Sequence, residues 1–422
     1  MIKEYRVVGK GVKRKDAFAK VTGAAKYACD YIPNGMLYGK YLGSTIPHGK
    51  IKNIDTSEAE KIPGVVAIIT GKDVPDVMHA GYIEDRYILA KDIVRYIGDP
   101  VAAVAATSES AAYAALDAIK VEYEELPFVL DIEEAYSTEC PVRVHENLEH
   151  YTTIAKHNVC FGYEADHPNQ ILHRRVRHGD VEKGFAEADY IIEGEYRMPR
   201  AHPSAMEPHN CIVIPSPDGS LTVHASEQAG LSAKGAICGL FGIEPSKIHW
   251  VTPYVGGGFG SKVDIMVTPI AVCLALKAGK PVKLEMTREE VFQSGSPRCS
   301  AVVRIRDGVM KDGTLVAREI REIMDGGAYS TFVTVMVSEG IYGATGTYRV
   351  PNFKLDAHGV YTNTAPNGPF RSLGSEIFAF AIESQMNKIA DELGIDQVEI
   401  RRKNILCIAG RQDATEPNVW NS

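Results

Sequence analysis

Hydrophobic and polar positions follow one another along the chain in patterns that predict a mixture of short strands and helices. Runs of apolar residues containing β-branched side chains, and strict alternation of apolar and polar residues, are both typical of strands. By these patterns the sequence predicts strands at 65–70, 100–106, 120–124, 190–196, 221–225 and 247–254. An alanine-rich stretch at 111–119 predicts a helix, with Thr107 or Ser108 available as its N-cap.

The clearest helix prediction covers residues 375–393. Apolar residues recur there every three or four positions, which places them on one face of a helix. That face carries Phe378, Ile382, Met386, Ile389 and Leu393. Gly394 stands where a left-handed glycine commonly ends a helix. We expect this stripe to belong to the core rather than to a ligand site, and the fold to be of the α+β class.

Changes in composition predict how the chain is divided. A chain of 422 residues is long enough for two or three domains. Residues 1–130 hold closely spaced strand and helix patterns and are expected to form one domain, and residues 151–422 a larger one. Between them, residues 131–150 are mixed and acidic, and we interpret them as a linker.

Charge and cysteine spacing exclude several classes of protein. The net charge of −8 provides no basic field for nucleic acid. No apolar run is long enough to span a membrane, and the N-terminus lacks the apolar core of a secretory signal, so we expect a cytoplasmic protein that binds no membrane. The eight cysteines lie 20 or more residues apart, a spacing that disfavours zinc or iron–sulfur ligation by this chain alone.

The most unusual segment is the glycine-rich loop Gly256–Lys262, which follows a predicted strand. It departs from a dinucleotide-binding turn because Ser261 stands in place of the third glycine. It departs from a phosphate-binding P-loop because Ser261 precedes the lysine and Val263 follows it. A glycine-rich backbone can approach an oxygen-rich ligand closely, and a tight turn after the strand is the alternative interpretation.

Two further positions carry candidate chemistry, each with an ordinary surface residue as the alternative. Arg371 lies in the loop 363–374, just before the strong helix, where an anionic ligand would explain a cation that opposes the helix dipole. Gln228 follows a predicted strand and offers a neutral amide donor. A helical zinc spacing is absent from the cluster His202, Glu207, His209 and His224.

These motifs become informative when they are taken together and in order. The set is Val94–Ala102, Val121–Pro127, Gln228, the loop Gly256–Lys262 and Phe370-Arg371-x-x-Gly374. In this order and spacing it resembles the molybdenum hydroxylases of the xanthine dehydrogenase/aldehyde oxidoreductase family, from about Val8 to the C-terminus. The resemblance implies a hammerhead α/β domain over 1–130, followed by the first half of the molybdopterin-binding region.

The resemblance also implies roles for individual residues near the cofactor. Gln228 would hydrogen-bond a ligand of the molybdenum and so contact the metal only indirectly. The backbone of Gly258, Phe259 and Gly260 would contact the oxo side of the metal, and Arg371 would lie against the cofactor. These residues are therefore expected to converge on one wall of the site.

A substrate pocket is implied at three positions, Val263, Glu339 and Leu373. Purine-oxidising relatives have a glutamate in place of Val263 and an arginine in place of Glu339. Recognition of a purine through that pair is therefore not expected here. An apolar aromatic or N-heterocyclic substrate fits the valine better.

The family's catalytic base is a glutamate in a G-x-G-E segment, which this sequence lacks. The resemblance therefore implies no catalytic residue in this chain and a base on a partner. The chain ends near the midpoint of the family's molybdenum region, as in the split large molybdopterin subunit of nicotinate dehydrogenase. A natural split between two chains is one explanation, and a shortened chain or fragmented gene is the other.

The implied cofactor is molybdopterin, in its cytosine dinucleotide form, with molybdenum. A second molybdopterin-domain subunit, an iron–sulfur subunit with 2Fe-2S clusters and an FAD subunit are the implied partners, beside a small-molecule substrate. The implied reaction is hydroxylation of an aromatic N-heterocycle, nicotinate-like or xanthine-like, or of an aldehyde, with water as the oxygen source. Reductive dehydroxylation of an aromatic CoA thioester and a non-catalytic scaffold half-domain are the alternatives.

Overall fold

Two large β-sheets, of seven and five strands, form the frame of the molecule in a computed structural model that describes residues 6–79, 81, 83–146, 148, 167–344 and 346–406. In chain order the strands are β1 (Leu37–Gly43), β2 (Gly49–Asp55), β3 (Val65–Thr70), β4 (Ile93–Val94), β5 (Pro100–Ala106), β6 (Lys120–Glu125), β7 (Gln170–His178), β8 (Tyr190–Met198), β9 (Asn210–Pro215), β10 (Leu221–Ala225), β11 (Ile248–Val251), β12 (Val282–Glu285), β13 (Ala301–Val309), β14 (Leu315–Gly327) and β15 (Asn352–Tyr361).

The described ranges contain ten α-helices, most of which pack on these sheets. They are α1 (Ala17–Val21), α2 (Glu109–Ala118), α3 (Ile132–Tyr136), α4 (Val181–Glu187), α5 (Gly230–Phe241), α6 (Thr268–Ala278), α7 (Arg288–Ser294), α8 (Val333–Ala344), α9 (Ser375–Leu393) and α10 (Gln397–Asn404). In the part of the chain that the structure describes, no helix is both long and apolar enough to cross a bilayer.

Most of the predicted elements are confirmed. The predicted helix 375–393 is α9, and Gly394 ends it in the left-handed conformation. Four residues of its stripe are buried and Leu393 is half-buried. Ser108 caps α2 by accepting a hydrogen bond from the backbone N–H of Ala111. The strand predicted at 247–254 is shorter than expected because it ends at Val251, two residues before Pro253, which has no N–H to donate to a neighbour.

The seven-stranded sheet joins strands from distant parts of the chain. Its order is β11-β10-β9-β12-β1-β5-β3, and β1 pairs in parallel with β12 through Leu37–Gly39 and 282–284. The N-terminal strands β1, β3 and β5 therefore share one sheet and one core with strands that lie beyond residue 200. The division at 130 and 151 stays a prediction.

The predicted linker 131–150 contains helix α3. Its Asp131 N-cap accepts hydrogen bonds from the N–H groups of Glu133 and Glu134. Ile132 and Tyr136 are buried against Ile323 of β14 and the neighbouring strands. The described part of this segment is thus packed on the five-stranded sheet, whose order is β7-β15-β14-β13-β8.

Three loops that leave the two sheets meet at one place. The residues after β10 and the glycine loop after β11 extend from the seven-stranded sheet. The loop 362–374 leaves β15 of the five-stranded sheet and leads into α9, which covers that sheet together with α8. This junction brings together the candidate residues of the sequence.

Candidate functional site

Gln228 is bonded directly to the glycine loop. Its side-chain oxygen Oε1 accepts the N–H of Gly260 at 2.8 Å and the N–H of Lys262 at 3.3 Å. Its backbone N–H donates to the carbonyl of Lys262 at 2.8 Å. Because two backbone donors fix which end of the amide is the carbonyl, Nε2 points away from the loop, and no acceptor for it lies among the described residues. Gln228 is exposed, so this donor is available to a ligand.

Two positions of the loop require glycine because neighbouring atoms lie too close for a side chain. A Cβ on Gly258 would collide with the side chain of Gln228, and a Cβ on Gly260 would collide with the carbonyl of Pro369. Only glycine therefore lets the loop pack against Gln228 on one side and against the loop 363–374 on the other. The N–H groups of Gly257, Gly258 and Phe259 have no acceptor within the described ranges, and such groups can donate to an oxygen-rich ligand.

The Arg371 turn is held against the same loop. The N–H of Arg371 donates to the carbonyl of Phe259 at 2.8 Å. Arg298 also contacts the turn. Its Nη2 donates to the carbonyl of Arg371 at 2.9 Å, and its guanidinium lies 4.4 Å from the centre of the Phe370 ring. The Arg371 side chain is exposed and has no partner among the described residues. The structure thus brings Gln228, Phe259–Gly260 and Arg371 together, as expected.

Backbone strain is concentrated around this crevice. Five non-glycine residues of the described ranges have a positive φ: Ser204 (50°), Phe259 (58°), Thr331 (28°), Ser372 (94°) and Leu373 (53°). Thr331 is bound to the loop 363–374 through its hydroxyl, which donates to the carbonyl of Asn367. Ser204 precedes Ala205, whose side chain contacts the glycine loop. Strain of this kind persists where the surrounding structure over-determines it, as at binding and active sites.

Two of the predicted pocket residues adjoin the loops of the crevice, and the third lies on α8. Val263 is half-buried and follows the glycine loop, and Leu373 is 38% exposed on the Arg371 turn. Glu339 is exposed on α8, and its carbonyl accepts the hydroxyl of Ser375 at the start of α9. Their placement is compatible with a substrate pocket, and their roles stay predictions.

A buried polar cluster beneath the glycine loop was missed by the sequence reasoning. It consists of Glu207, Ser226 and Lys262, and Lys262 is fully buried. Burial alone would raise the pKa of Glu207, but hydrogen bonds from Ser226 and Gly256 and the charge of Lys262 lower it, so the carboxylate form is favoured. The only signal in the sequence was the proximity of Glu207 to His209, whose Nε2 bonds the carbonyl of Ser261 at 3.0 Å.

Glu227, beside Gln228, is a second buried acid at the site. Its Oε1 accepts the hydroxyl of Thr268 at 2.6 Å, and its Oε2 is buried with no partner in the described ranges. Burial raises the pKa of Glu227 to about 8, and the nearby Asp264 contributes to the increase. The side chain is therefore protonated at neutral pH.

The crevice is an open face rather than an enclosed cavity. The ring of Phe259 is 52% exposed, and Met206 beside the loop is 91% exposed. A separate cleft of about 670 Å³ is lined by Ile97, Phe128, Phe292 and other residues, but by none of the predicted site residues. An open face with unpaired donors and exposed apolar side chains is suited to a large ligand that a second surface covers.

The donor set fits an oxygen-rich cofactor. The amide Nε2 of Gln228, the backbone N–H groups of 257–259 and the Arg371 guanidinium are all donors, and Gln228, Phe259 and Arg371 are exposed. In the described ranges no group of three or more His, Cys, Asp or Glu side chains could hold a metal ion directly. The donors suit the oxygen atoms of a cofactor that brings its own metal.

Comparison with known families agrees with this site. The family model described as "Molybdopterin cofactor-binding domain" matches residues 163–405, and the one described as "Aldehyde oxidase and xanthine dehydrogenase, a/b hammerhead domain" matches residues 22–127. The chain thus belongs to the xanthine dehydrogenase/aldehyde oxidoreductase family of molybdenum hydroxylases. The predicted order, a hammerhead domain followed by a molybdopterin-binding region, is confirmed.

Individual relatives place the chain within this family. It is 38% identical over 394 residues to a protein of Bacillus subtilis named as a probable subunit of xanthine dehydrogenase, covering 93% of this chain and 50% of that one. It is 34% identical to the "Nicotinate dehydrogenase large molybdopterin subunit" of Eubacterium barkeri, covering 96% of this chain and 90% of that one. The chain therefore spans about half the length of the Bacillus relative and nearly all of the Eubacterium one.

Solved structures show the same fold. The aldehyde oxidoreductase of Desulfovibrio gigas superposes with a TM-score of 0.84 at 29% identity, covering 94% of this chain and 43% of that one. Quinoline 2-oxidoreductase from Pseudomonas putida superposes with a TM-score of 0.84 at 27% identity, covering 95% of this chain and 50% of that one.

Proposed function

We propose that this chain forms one wall of the molybdenum–pterin site of a hydroxylase that oxidises an aromatic N-heterocycle or an aldehyde, with water as the oxygen source. The observation that carries the proposal is the convergence of Gln228, Phe259–Gly260 and Arg371, with Nε2 of Gln228, the N–H of Phe259 and the guanidinium of Arg371 unpaired among the described residues. When bound, the molybdenum cofactor supplies two-electron oxidation of a carbon–hydrogen bond. The protein supplies binding, orientation and electrostatics.

Each residue of this wall has a separate task in the proposal. Gln228 would hold the cofactor through Nε2, while its Oε1 keeps the glycine loop in place. The backbone of Gly258, Phe259 and Gly260 would contact the oxo side of the metal. Arg371 would place a positive charge next to the anionic cofactor, for which we propose the cytosine dinucleotide form.

The substrate side of the site is apolar on two of its three predicted positions. Val263 and Leu373 offer contact area to an aromatic ring, and Glu339 offers an acceptor to a ring N–H. Relatives carry the names xanthine dehydrogenase, nicotinate dehydrogenase, quinoline 2-oxidoreductase and aldehyde oxidoreductase. An N-heterocycle or an aldehyde is thus the substrate class that the pocket and the relatives support together.

The exposed face requires a second wall. We assign that wall, the catalytic base and most of the remaining pterin contacts to a second molybdopterin-domain subunit that covers Met206, Phe259 and Leu373. We assign 2Fe-2S clusters and FAD, which would take up the electrons, to further subunits; the cysteines of this chain in the described ranges are free. No residue of this chain is assigned as the base.

The test is made on the complex purified natively from its source, with wild-type chain, Gln228→Ala and the control Gln397→Ala, an exposed glutamine on α10. We expect about one molybdenum and one pterin dinucleotide per chain. We also expect hydroxylation of nicotinate, quinoline or an aldehyde with oxygen from ¹⁸O-labelled water. Gln228→Ala is expected to lower turnover by about 100-fold, as for the loss of one positioned donor, and the control to leave it unchanged.

The other candidate functions give different outcomes of the same experiment. Reduction of a hydroxylated aromatic CoA thioester, without hydroxylation of any heterocycle or aldehyde, would replace the proposal by the dehydroxylase. A complex that holds no molybdenum would replace it by the scaffold. Equal turnover of Gln228→Ala and wild type would remove Gln228 from the site.

A further inference from the structure

One carboxylate holds both ends of the glycine loop. Oε2 of Glu207 accepts the N–H of Gly256 at 2.6 Å, at the start of the loop, and the ammonium of Lys262 at 3.0 Å, at its end. The hydroxyl of Ser226 donates to the same oxygen at 2.6 Å and accepts from Lys262 at 2.8 Å. The seven residues Gly256–Lys262 are therefore closed into a ring through one buried ion pair.

The ion pair is costly to bury, and an apolar pair of similar size would not be. The side chains of Lys262 and Glu207 are 0% and 8% exposed. Burial lowers the pKa of Lys262, and the charge of Glu207 limits the decrease. A buried ion pair is weak evidence for added stability, whereas its hydrogen bonds impose one particular geometry on the atoms that it joins. Here those atoms are the two ends of the loop.

The geometry that is imposed is the one that exposes the loop's donors. The side chain of Gln228 accepts the N–H groups of Gly260 and Lys262. The side chain of Glu207 accepts the N–H of Gly256 and the ammonium of Lys262. Only the stretch 257–259 is left without a backbone hydrogen bond from its N–H groups to the described residues. Fixing the ends in advance reduces the entropy that a ligand would otherwise lose in ordering this stretch.

We propose that Glu207 is a positioning residue which, through Lys262 and Ser226, holds the glycine loop in its ligand-binding shape before the ligand arrives. Lys262 is thereby assigned to the loop's structure and not to the binding of a phosphate. That the ligand is the molybdenum cofactor rests on the proposed function, whereas the clamp itself is a property of the chain alone.

Hydrogen exchange of the loop amides, followed by mass spectrometry on the full chain, tests the clamp. Glu207→Gln keeps the size of the side chain and removes its charge. We expect peptides covering 255–263 to exchange about 10- to 100-fold faster in this variant, since a hydrogen bond to a charged group is lost at each end of the loop. Peptides of α9 are expected to be unchanged. The control is Glu383→Gln on α9, which removes the same charge from an ion pair with Arg401 at 2.8 Å that is half-exposed and lies outside the loop.

Two further variants separate a clamp from a general loss of stability. Lys262→Met leaves Glu207 bonded to Gly256 and Ser226, so faster exchange is expected at 260–262 and not at Gly256. The double variant Glu207→Gln/Lys262→Met removes both charges and so leaves no unpaired buried ammonium. We expect it to keep the fold, and we expect hydrogen exchange to be faster throughout its loop. Wild-type exchange of the loop in Glu207→Gln or in the double variant overturns the proposal, as does an equal increase throughout the molecule.

Molybdenum content of the natively purified complex tests the step from the clamp to the cofactor. We expect Glu207→Gln to retain at most about one tenth of the wild-type molybdenum, and Glu383→Gln to retain all of it. Full retention in a variant whose loop exchanges faster overturns the assignment of the clamp to cofactor binding. A wild-type complex without molybdenum instead overturns the proposed function and leaves the exchange result for Glu207 standing.

Discussion

Leu373 carries a bulky side chain on a backbone conformation that favours glycine. Leu373 has a φ of 53°, and its neighbours Ser372 and Gly374 each have a φ of 94°. Three consecutive residues immediately before α9 therefore have a positive φ. A side chain with a Cβ costs about 1 to 2 kcal/mol in this region, and glycine does not have this cost. The turn that carries Arg371 is therefore strained in the absence of any ligand.

Because of this strain, we expect glycine to give a more stable protein than alanine at position 373, the reverse of their usual order in stability. Leu373→Gly is expected to have a free energy of unfolding about 1 kcal/mol higher than Leu373→Ala, because both variants lose the same side-chain contacts and only alanine keeps the strain. At Leu276, an exposed leucine of α6, the order is expected to reverse by a similar amount. Urea unfolding of the four variants measures both differences. The same order at both positions would show that Leu373 is not strained.

At the scale of a single element, α9 is the part of the molecule that the sequence describes best. Its apolar stripe, its length and its glycine end are all local features, and each is present in the structure. Ile382 is 1% exposed in the core between α9 and the five-stranded sheet. The helix thus supports the Arg371 turn, which precedes its first residue.

Truncation of this stripe is expected to be severe. Ile382→Ala should lower the free energy of unfolding by about 2 to 5 kcal/mol, through lost burial and the cavity that remains. Glu392→Ala, on the exposed face of the same helix, should change it by no more than about 0.5 kcal/mol. Chemical denaturation with circular dichroism gives both values. Equal effects of the two variants would mean that α9 does not depend on its buried face.

Other elements were less predictable, for identifiable physical reasons. Helix α3 has only five residues, too few to show an apolar period, although Asp131 lies three positions before Glu134 in the spacing of an N-cap. The glycine loop has a shape set by Glu207, Gln228 and Pro369, which lie tens of residues away from it in the chain. No local pattern encodes those contacts. The residues of the site could be named through the family resemblance, but their hydrogen bonds could not.

At the scale of the whole molecule, the contacts of the N-terminal segment with later parts of the chain were not foreseeable from the sequence. The parallel pairing of β1 with β12, within the seven-stranded sheet, joins residues more than 240 positions apart. Two buried carboxylates form a separate junction, between the N-terminal segment and the end of the five-stranded sheet. Asp85 accepts the N–H of Ser330 at 2.7 Å and the hydroxyl of Tyr361 at 2.8 Å, and Asp99 accepts the hydroxyl of Tyr329 at 2.8 Å.

The junction is expected to respond to pH. Burial raises the pKa of Asp85 to about 6 and that of Asp99 to about 6, although the hydrogen bonds that they accept oppose the change. A carboxyl whose pKa is raised on folding binds its proton more tightly in the native state than in the unfolded one. Its contribution to stability is therefore present below pH 4, and it is lost as the pH rises through about 6.

Asp85→Asn isolates this effect, because the amide is neutral at every pH and keeps an acceptor for Ser330 and Tyr361. A shift of about two pKa units corresponds to about 3 kcal/mol. The variant is thus expected to equal the wild type near pH 4 and to exceed its free energy of unfolding by up to about 3 kcal/mol at pH 8. Asp117→Asn, an exposed position on α2, controls for removing one carboxylate from a chain of net charge −8. Denaturation curves of Asp85→Asn and wild type that stay parallel from pH 4 to pH 8 would show that Asp85 is not desolvated at this junction.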